Sequence, residues 1–263
     1  MTDPALQTAA TGMIAQQLRV EVIANNLANV NTTGFKRSRA HFEDLLYQMV
    51  EAPSSVDPTS TTSTEVVQVG RGTRLAGVQR IDAQGALEVT DRPLDVAIDG
   101  QGFFAVEMPD GSYAYSRDGS FTVSEQGLIV TAGGYAVSPN ITIPPDATEI
   151  AISRTGIVTA LTDNASQPVE IGRIELARFA NAPGLRALGE NLFAETVASG
   201  QPTLGFPQEN GFGRLLQGNL EASNVEVVQE MVDMIAALRA YEVNSKAVKA
   251  GEEMSQMTNA LLG

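Results

Sequence analysis

Both ends of the chain carry apolar residues in alternating steps of three and four, and no other feature restricts the fold so strongly. Near the N-terminus, Leu6, Ala9, Met13, Gln16, Val20, Ile23, Leu27 and Val30 keep this rhythm, a heptad seam with one polar guest. Asp3 is a good N-cap with Pro4 at the first helical position, and Gly34 lies just past an Asn29–Thr33 stretch that frays or ends a helix. The 25 residues from Leu6 to Val30 make roughly 37 Å of helix at 1.5 Å per residue, which needs a partner along its length. The opposite end supplies a candidate. Ser223, Asn224, Val225 and Glu226 read as a capping box before an apolar run. Val227, Met231, Met234, Leu238, Tyr241, Ser245 and Val248 then repeat the spacing, and Met254, Met257 and Leu261 resume it past Gly251, slightly rotated. Both seams are narrow and carry polar guests, and an isolated pair of such helices is only marginally stable. We therefore expect them to be completed by assembly with further copies. A helical hairpin packed within the monomer is the other reading.

Between the helices the period changes. Phe42, Leu45, Leu46 and Met49 suggest a short helix between Ser38 and Met49. In the following stretch, Pro53 to Thr64, 8 of 12 residues are Ser or Thr, too polar to drive its own ordering, so it reads as a linker or extended surface loop. From residue 66 to 180 short runs alternate with period two, as in Val96 and Ile98 or Phe104, Val106 and Met108. Pro109-Asp110-Gly111, Asp118-Gly119 and Gly133-Gly134 punctuate them. A parity change across Gly172 predicts a bulge. The expected class is α+β, with N- and C-terminal helices pairing as a coiled coil and a central all-β domain inserted between them. The expected division is residues 1–34 plus 221–263 as the helical domain, 35–80 as a connecting segment with the Ser/Thr-rich insertion at 47–64, and 81–220 as the β-rich outer domain.

Composition leans away from catalysis. With no cysteine and a single histidine, His41, thiolate zinc sites, cysteine nucleophiles and histidine-based triads lack their materials, and no metal or cofactor is expected. His41 reads as structural. Asp95 and Asp99 flank Val96–Ile98 on one strand face, which suits a carboxylate pair of the glycosidase kind and equally suits the solvated face of a half-buried strand. Gly70-Arg71-Gly72 is followed by strand-like alternation rather than a helix, so it is no dinucleotide loop. Asp118-Gly119 reads as a tight turn. A net charge of −14 opposes nucleic-acid binding, and Lys36, Arg37 and Arg39 form the only basic cluster. No segment qualifies for membrane insertion. Asp3 and Pro4 stand where a secretory signal has its basic region, so none is expected, and work outside the cytoplasm would require uncleaved exit by another route.

Five stretches resemble the bacterial flagellar rod and hook axial protein family: ANNLANVNTTGFK (24–36), DVAIDGQGFFAV (95–106), YSRDGSFTVSEQGLIVTAGGYAV (115–137), GENLF (189–193) and SNVEVVQEMVDMIAALRAYEVNSKAV (223–248). FEDLLYQ (42–48), preceding the Ser/Thr-rich insertion, is most similar to the distal-rod branch. The resemblance implies a structural subunit, not an enzyme, that polymerises helically into a rigid hollow drive shaft carrying motor torque to hook and filament. It implies proximal rod and hook proteins at the two ends of the shaft, and peptidoglycan-ring and outer-membrane-ring proteins around it. Residence would be the basal body, in the rod crossing the periplasm, reached through the flagellar type III export apparatus without a cleaved signal. Assembly residues carried over are Leu6, Met13, Val20, Ile23, Asn25, Asn26, Leu27, Asn29, Val30, Gly34, Phe35 and Lys36. At the other end they are Ser223, Asn224, Val227, Met231, Met234, Leu238, Tyr241, Asn244, Ser245, Lys246 and Val248. Tyr47, Pro53, Pro58 and Thr64 would mark a rod-stiffening insertion. Met1 to Ala5, MTDPA, departs from the apolar start expected of the family. The alternatives are a proximal-rod or hook subunit, a periplasmic glycan-cleaving enzyme using Asp95 and Asp99, and a secreted adhesin or phage-tail-like fibre protein.

Overall fold

Pro4 has no N–H to contribute, and the first turn of a helix needs none; in the computed structural model it opens helix α1, Pro4–Ala28. The structure describes residues 4–50, 67–163 and 167–262. Asp3, Pro53, Pro58 and Thr64 lie outside them. α1 stops where expected, in a turn closed by Thr32 N–H donating to Asn29 O (3.2 Å) and Thr32 Oγ1 to Asn29 Oδ1 (3.1 Å). Helix α2, Val227–Leu262, has 36 residues, about 54 Å of rise. It starts too late for the expected capping box. Ser223 Oγ accepts instead from Val225 N–H at 3.3 Å, and the Asn224 side chain is engaged with other segments.

The chain divides into two compact units. One gathers Met1–Leu27, Ser38–Gln79 and Val227–Gly263, the other Ala28–Arg37 and Arg80–Glu226. In the first, the short helix expected between Ser38 and Met49 is replaced by strands. β1 (Ser38–Asp44) pairs with β4 (Thr73–Arg80), and β2 (Tyr47–Val50) with β3 (Val67–Gly70), with Leu45 N–H donating to Gly72 O at 2.9 Å between them. The result is a long two-stranded ribbon. Helical spacing of Phe42, Leu45, Leu46 and Met49 was outweighed by alternation along β1, where Ser38, Ala40 and Phe42 are half-buried and Arg39, His41 and Glu43 exposed, and by pairing with strands β3 and β4, beyond residue 66. Thr73 N–H reaches Thr11 Oγ1 at 3.3 Å, so α1 touches the ribbon there.

The second unit is β-rich. Consecutive residues Phe103 and Phe104 of strand Phe103–Glu107 point to opposite faces and enter different cores. Phe104 joins Val96, Ile98, Val106, Phe121, Val158, Ile174, Leu176 and Leu215, with Phe121 edge-on at 4.9 Å. Phe103 joins Tyr115, Phe179, Leu185 and Phe193, with Phe179 edge-on at 6.0 Å. Fully burying each such side chain contributes about 1.5–3 kcal/mol, so the sheet is held from both sides. The bulge anticipated near Gly172 is present: Val158 pairs with Gly172 and Thr159 with Glu170, leaving Ile171 unopposed. Terminal helices and a central β-rich region make the class α+β.

Candidate functional site

Within the first unit, α1 and α2 touch through small and polar residues. A Cβ on Gly12 would meet Asn244 Nδ2 at 2.8 Å, and one on Gly251 would meet Leu6 Cδ2 at 2.7 Å. Ala15 and Ala237 are buried, and Arg19 lies 3.3 Å from Asp233 in an exposed pair that contributes little. Asn26, only 1% exposed, binds the Ser38 backbone at both ends, accepting from its N–H (2.8 Å) and donating to its carbonyl (2.9 Å), and also donates to Glu230 Oε2 (3.2 Å). As α1 is followed from Asn26 back to Leu6, its partners advance from Glu230 to Gly251, so the helices run antiparallel. Side chains without bulk at the crossing let the backbones approach closely.

The large apolar residues of α2 face elsewhere. Val228 (77% exposed), Met231, Val232 (56%), Ile235 and Leu238 form an uncovered stripe along its first three turns. Further along the same side the helix turns charged, with exposed Arg239, Glu242, Lys246, Lys249 and Glu253. Among the seam residues expected from spacing, Val227, Met231, Leu238 and Tyr241 are exposed, whereas Met234, Ser245 and Val248 are partly covered, as is Asn244, which the resemblance implied. On α1, Ile23 and Asn26 are buried, Leu6, Met13, Val20 and Leu27 half-buried, and Asn25 exposed. The ribbon also exposes apolar side chains, namely Leu46 (89%), Tyr47, Met49 and Val69.

In the second unit, the signature residues beyond α1 are enclosed. Gly34 adopts φ +68°, and a Cβ there would lie 2.7 Å from Asp118 N, so only glycine fits. Its N–H donates to Glu221 O at 2.7 Å. Lys36 donates to Glu221 Oε1 and to Ala83 O (2.8 Å), and Gly85 N–H donates to the same Oε1 at 2.9 Å. Arg117 Nε stands 3.0 Å from Glu221 Oε2 without hydrogen-bond alignment, so that contact is Coulombic, while the guanidinium donates to Gly102 O (2.6 Å) and Gly100 O (2.9 Å). All three charged residues are at most 5% exposed. Burial holds the Lys36 ammonium below its ordinary value, against the opposing pull of Glu221. Asn224 accepts from Arg37 N–H (2.7 Å) and donates to Ile81 O and Ala83 O (2.9 Å each). Asn191 of the GENLF stretch donates to Thr33 O at 3.2 Å. Asn29, Val30, Phe35 and Ser223 are half-buried around this clasp.

The rival chemistries have simpler explanations in place. Arg214 holds the Asp99 carboxylate at 2.7 Å, and Asp95 is buried with Arg92 3.7 Å away. Lys36 is withdrawn from the basic cluster into the interior. Spacing does not single out Glu221, Arg117, Glu230 or Asn191; of the outward stripe of α2 it gives Met231 and Leu238 and leaves out Val228, Val232 and Ile235. Val228, Val232 and Ile235 do carry a visible signal, because they repeat at four and three beside the seam of Val227, Met231 and Met234.

Three family models match the chain. Residues 6–36 match the model described as flagella basal body rod protein, 97–160 the flagellar hook protein FlgE/F/G D1 domain, and 216–261 the flagellar basal body rod FlgEFG protein C-terminal. The flagellar basal-body rod protein FlgG of Caulobacter vibrioides is 51% identical over 98% of each chain. That of Borreliella burgdorferi is 50% identical over 98% of each. The protein of the same name from Bacillus subtilis is 37% identical over 95% of this chain and 96% of its own.

Proposed function

Because this chain belongs to the flagellar basal-body rod protein family, we propose that it is the subunit of the distal rod. It is a structural protein and not an enzyme, and its place is the flagellar basal body. Identical subunits polymerise helically, by a head-to-tail contact that does not close, into a rigid hollow shaft transmitting torque to hook and filament. The observation that carries this reading is the uncovered stripe Val228, Met231, Val232, Ile235 and Leu238, contiguous apolar surface that needs a partner and that identical neighbours would cover in series.

In this reading residues 1–34 and 221–263 form the helical wall of the tube, completed as a coiled coil only within the polymer. Residues 35–80 connect, and 81–220 make the outer layer. The carried-over residues divide by role. Val227, Met231, Leu238, Tyr241 and Lys246 meet neighbouring subunits, while Asn26, Gly34, Lys36 and Asn224 hold each subunit together. Proximal rod and hook proteins adjoin the two ends, peptidoglycan-ring and outer-membrane-ring proteins surround the shaft, and subunits leave through the flagellar type III export apparatus uncleaved. The 47–64 insertion begins on β2, and it stiffens the rod. Deleting Tyr47–Thr64 tests both parts, with electron microscopy of isolated basal bodies as the readout. Rods that still form but curve like a hook are expected. Straight rods would contradict the stiffening role, and loss of all polymer would place assembly in the ribbon rather than in the helices.

A further inference from the structure

The chain passes between its two units at four peptide bonds, Leu27–Ala28, Arg37–Ser38, Gln79–Arg80 and Glu226–Val227. Inside the second unit, the segments next to these passages are tied to one another before they reach either core. Residues 34–37, 81–86 and 221–224 share a set of backbone hydrogen bonds: Gly34 N–H to Glu221 O (2.7 Å), Asn224 N–H to Phe35 O (3.4 Å), Ile81 N–H to Arg37 O (2.9 Å) and Ala222 N–H to Ala86 O (2.8 Å). Three side chains fill the middle of this node. Lys36 joins Glu221 and Ala83, Glu221 joins Gly85, and Asn224 bridges residues 37, 81 and 83.

We propose that this node is the force-carrying joint of the subunit, with Lys36, Glu221 and Asn224 as positioning residues that keep the chain ends from being drawn out of the β unit. Direction is the physical reason. Residue 34 bonds to 221 and residue 35 to 224, so the N-terminal and C-terminal segments run parallel. Tension entering from α1 pulls one backward along its axis, and tension entering from α2 pulls the other forward. The two are sheared past each other, and the bonds between them must fail together. In an antiparallel arrangement pulled from one end they would open singly. The buried ion cluster adds to this resistance, because sliding by one residue would separate Lys36 and Arg117 from Glu221 and leave charges unpaired in the interior. The purpose of such a joint rests on the torque-bearing role proposed above, but its existence is tested on single chains and does not depend on assembly.

The experiment is constant-force unfolding of the full chain held by handles at its two termini, comparing Lys36→Met and Asn224→Ala with Val158→Ala, which thins the core of the same unit at a fully buried residue far from the node in sequence. Thermal melts of each variant provide the scale. Each node variant is expected to raise the unfolding rate of the β unit under load by about tenfold or more beyond the change produced by Val158→Ala per degree of lost Tm. Should Lys36→Met not fold, Asn224→Ser, which keeps an acceptor at the position, serves in its place with a smaller shift in the same direction. Equal sensitivity to load at equal thermal loss for node and core variants would overturn the proposal.

Discussion

Glutamate at both Val232 and Ile235 is expected to leave a folded monomer that no longer assembles. The two side chains stand on the outward side of α2, about half exposed, and substitutions at such positions usually change stability by less than about 0.5 kcal/mol. Glutamate is also the better helix former of the residues concerned. In the polymer the same positions would lie within a subunit contact, where an unpaired carboxylate either stays charged at a cost of several kcal/mol or is protonated at a similar one. Two such groups weaken association by about a thousandfold or more, since each 1.4 kcal/mol is a factor of ten. Circular dichroism of the purified chain should be unchanged, while electron microscopy of basal bodies should find rods missing and swimming lost. Normal rods from this variant would remove α2 from the assembly surface.

The second large effect falls on the buried cluster. Glu221→Gln removes the carboxylate in direct contact with both Lys36 and Arg117 and leaves two cations enclosed together, with Asp82 acting on them only from further away. Breaking a buried pair from one side typically costs about 3–5 kcal/mol, a large fraction of the stability of an ordinary domain. Lys36→Met alone should cost less, because Arg117 still neutralises Glu221 and keeps its own bonds to Gly100 and Gly102. The double variant should be more stable than the sum of the single losses predicts, with a coupling of at least about 1 kcal/mol. Urea denaturation followed by circular dichroism measures all three. Strict additivity would mean that Lys36 and Glu221 do not interact in the folded state.

What could be read in advance followed the range over which each signal acts. The extent of α1 and its end near Asn29 were legible because spacing, Pro4 and the Asn-Thr run all act within a few residues of where they sit. The turns around Asp110 and Gly133 were legible for the same reason, and so was the bulge near Gly172. The covered side of α2 was not. Its first three turns gather their polar residues, Gln229, Glu230 and Asp233, on one side. The expectation that an apolar side is the covered one fails because Glu230 and Asp233 meet Asn26 and Arg19 of α1, while the smallness of Ala237 and Gly251 matters only opposite α1. The Ser38–Met49 segment was misread because its partner strands lie beyond the Ser/Thr-rich tract. The clasp joins positions 36, 117 and 221, each an ordinary charge in its local context, and no local pattern announces their meeting. Aromatic residues make up only 5% of the chain, and eight of the nine phenylalanines belong to the β-rich unit. The helices are left to small residues inside and unbranched or branched aliphatics outside.

The absence of cysteine makes a direct measurement straightforward. Val232→Cys and, as a comparison at the exposed junction between β1 and β2, Leu46→Cys can each be the only thiol in the chain. The measurement is the rate of maleimide labelling at Val232→Cys in the soluble monomer and again in rods within isolated basal bodies. The assembly account predicts fast labelling in the monomer and protection by about a hundredfold or more in the rod, in keeping with burial in a packed subunit contact. Rods in which this thiol reacts as fast as it does in the monomer would contradict the claim that the outward stripe of α2 is what neighbouring subunits cover.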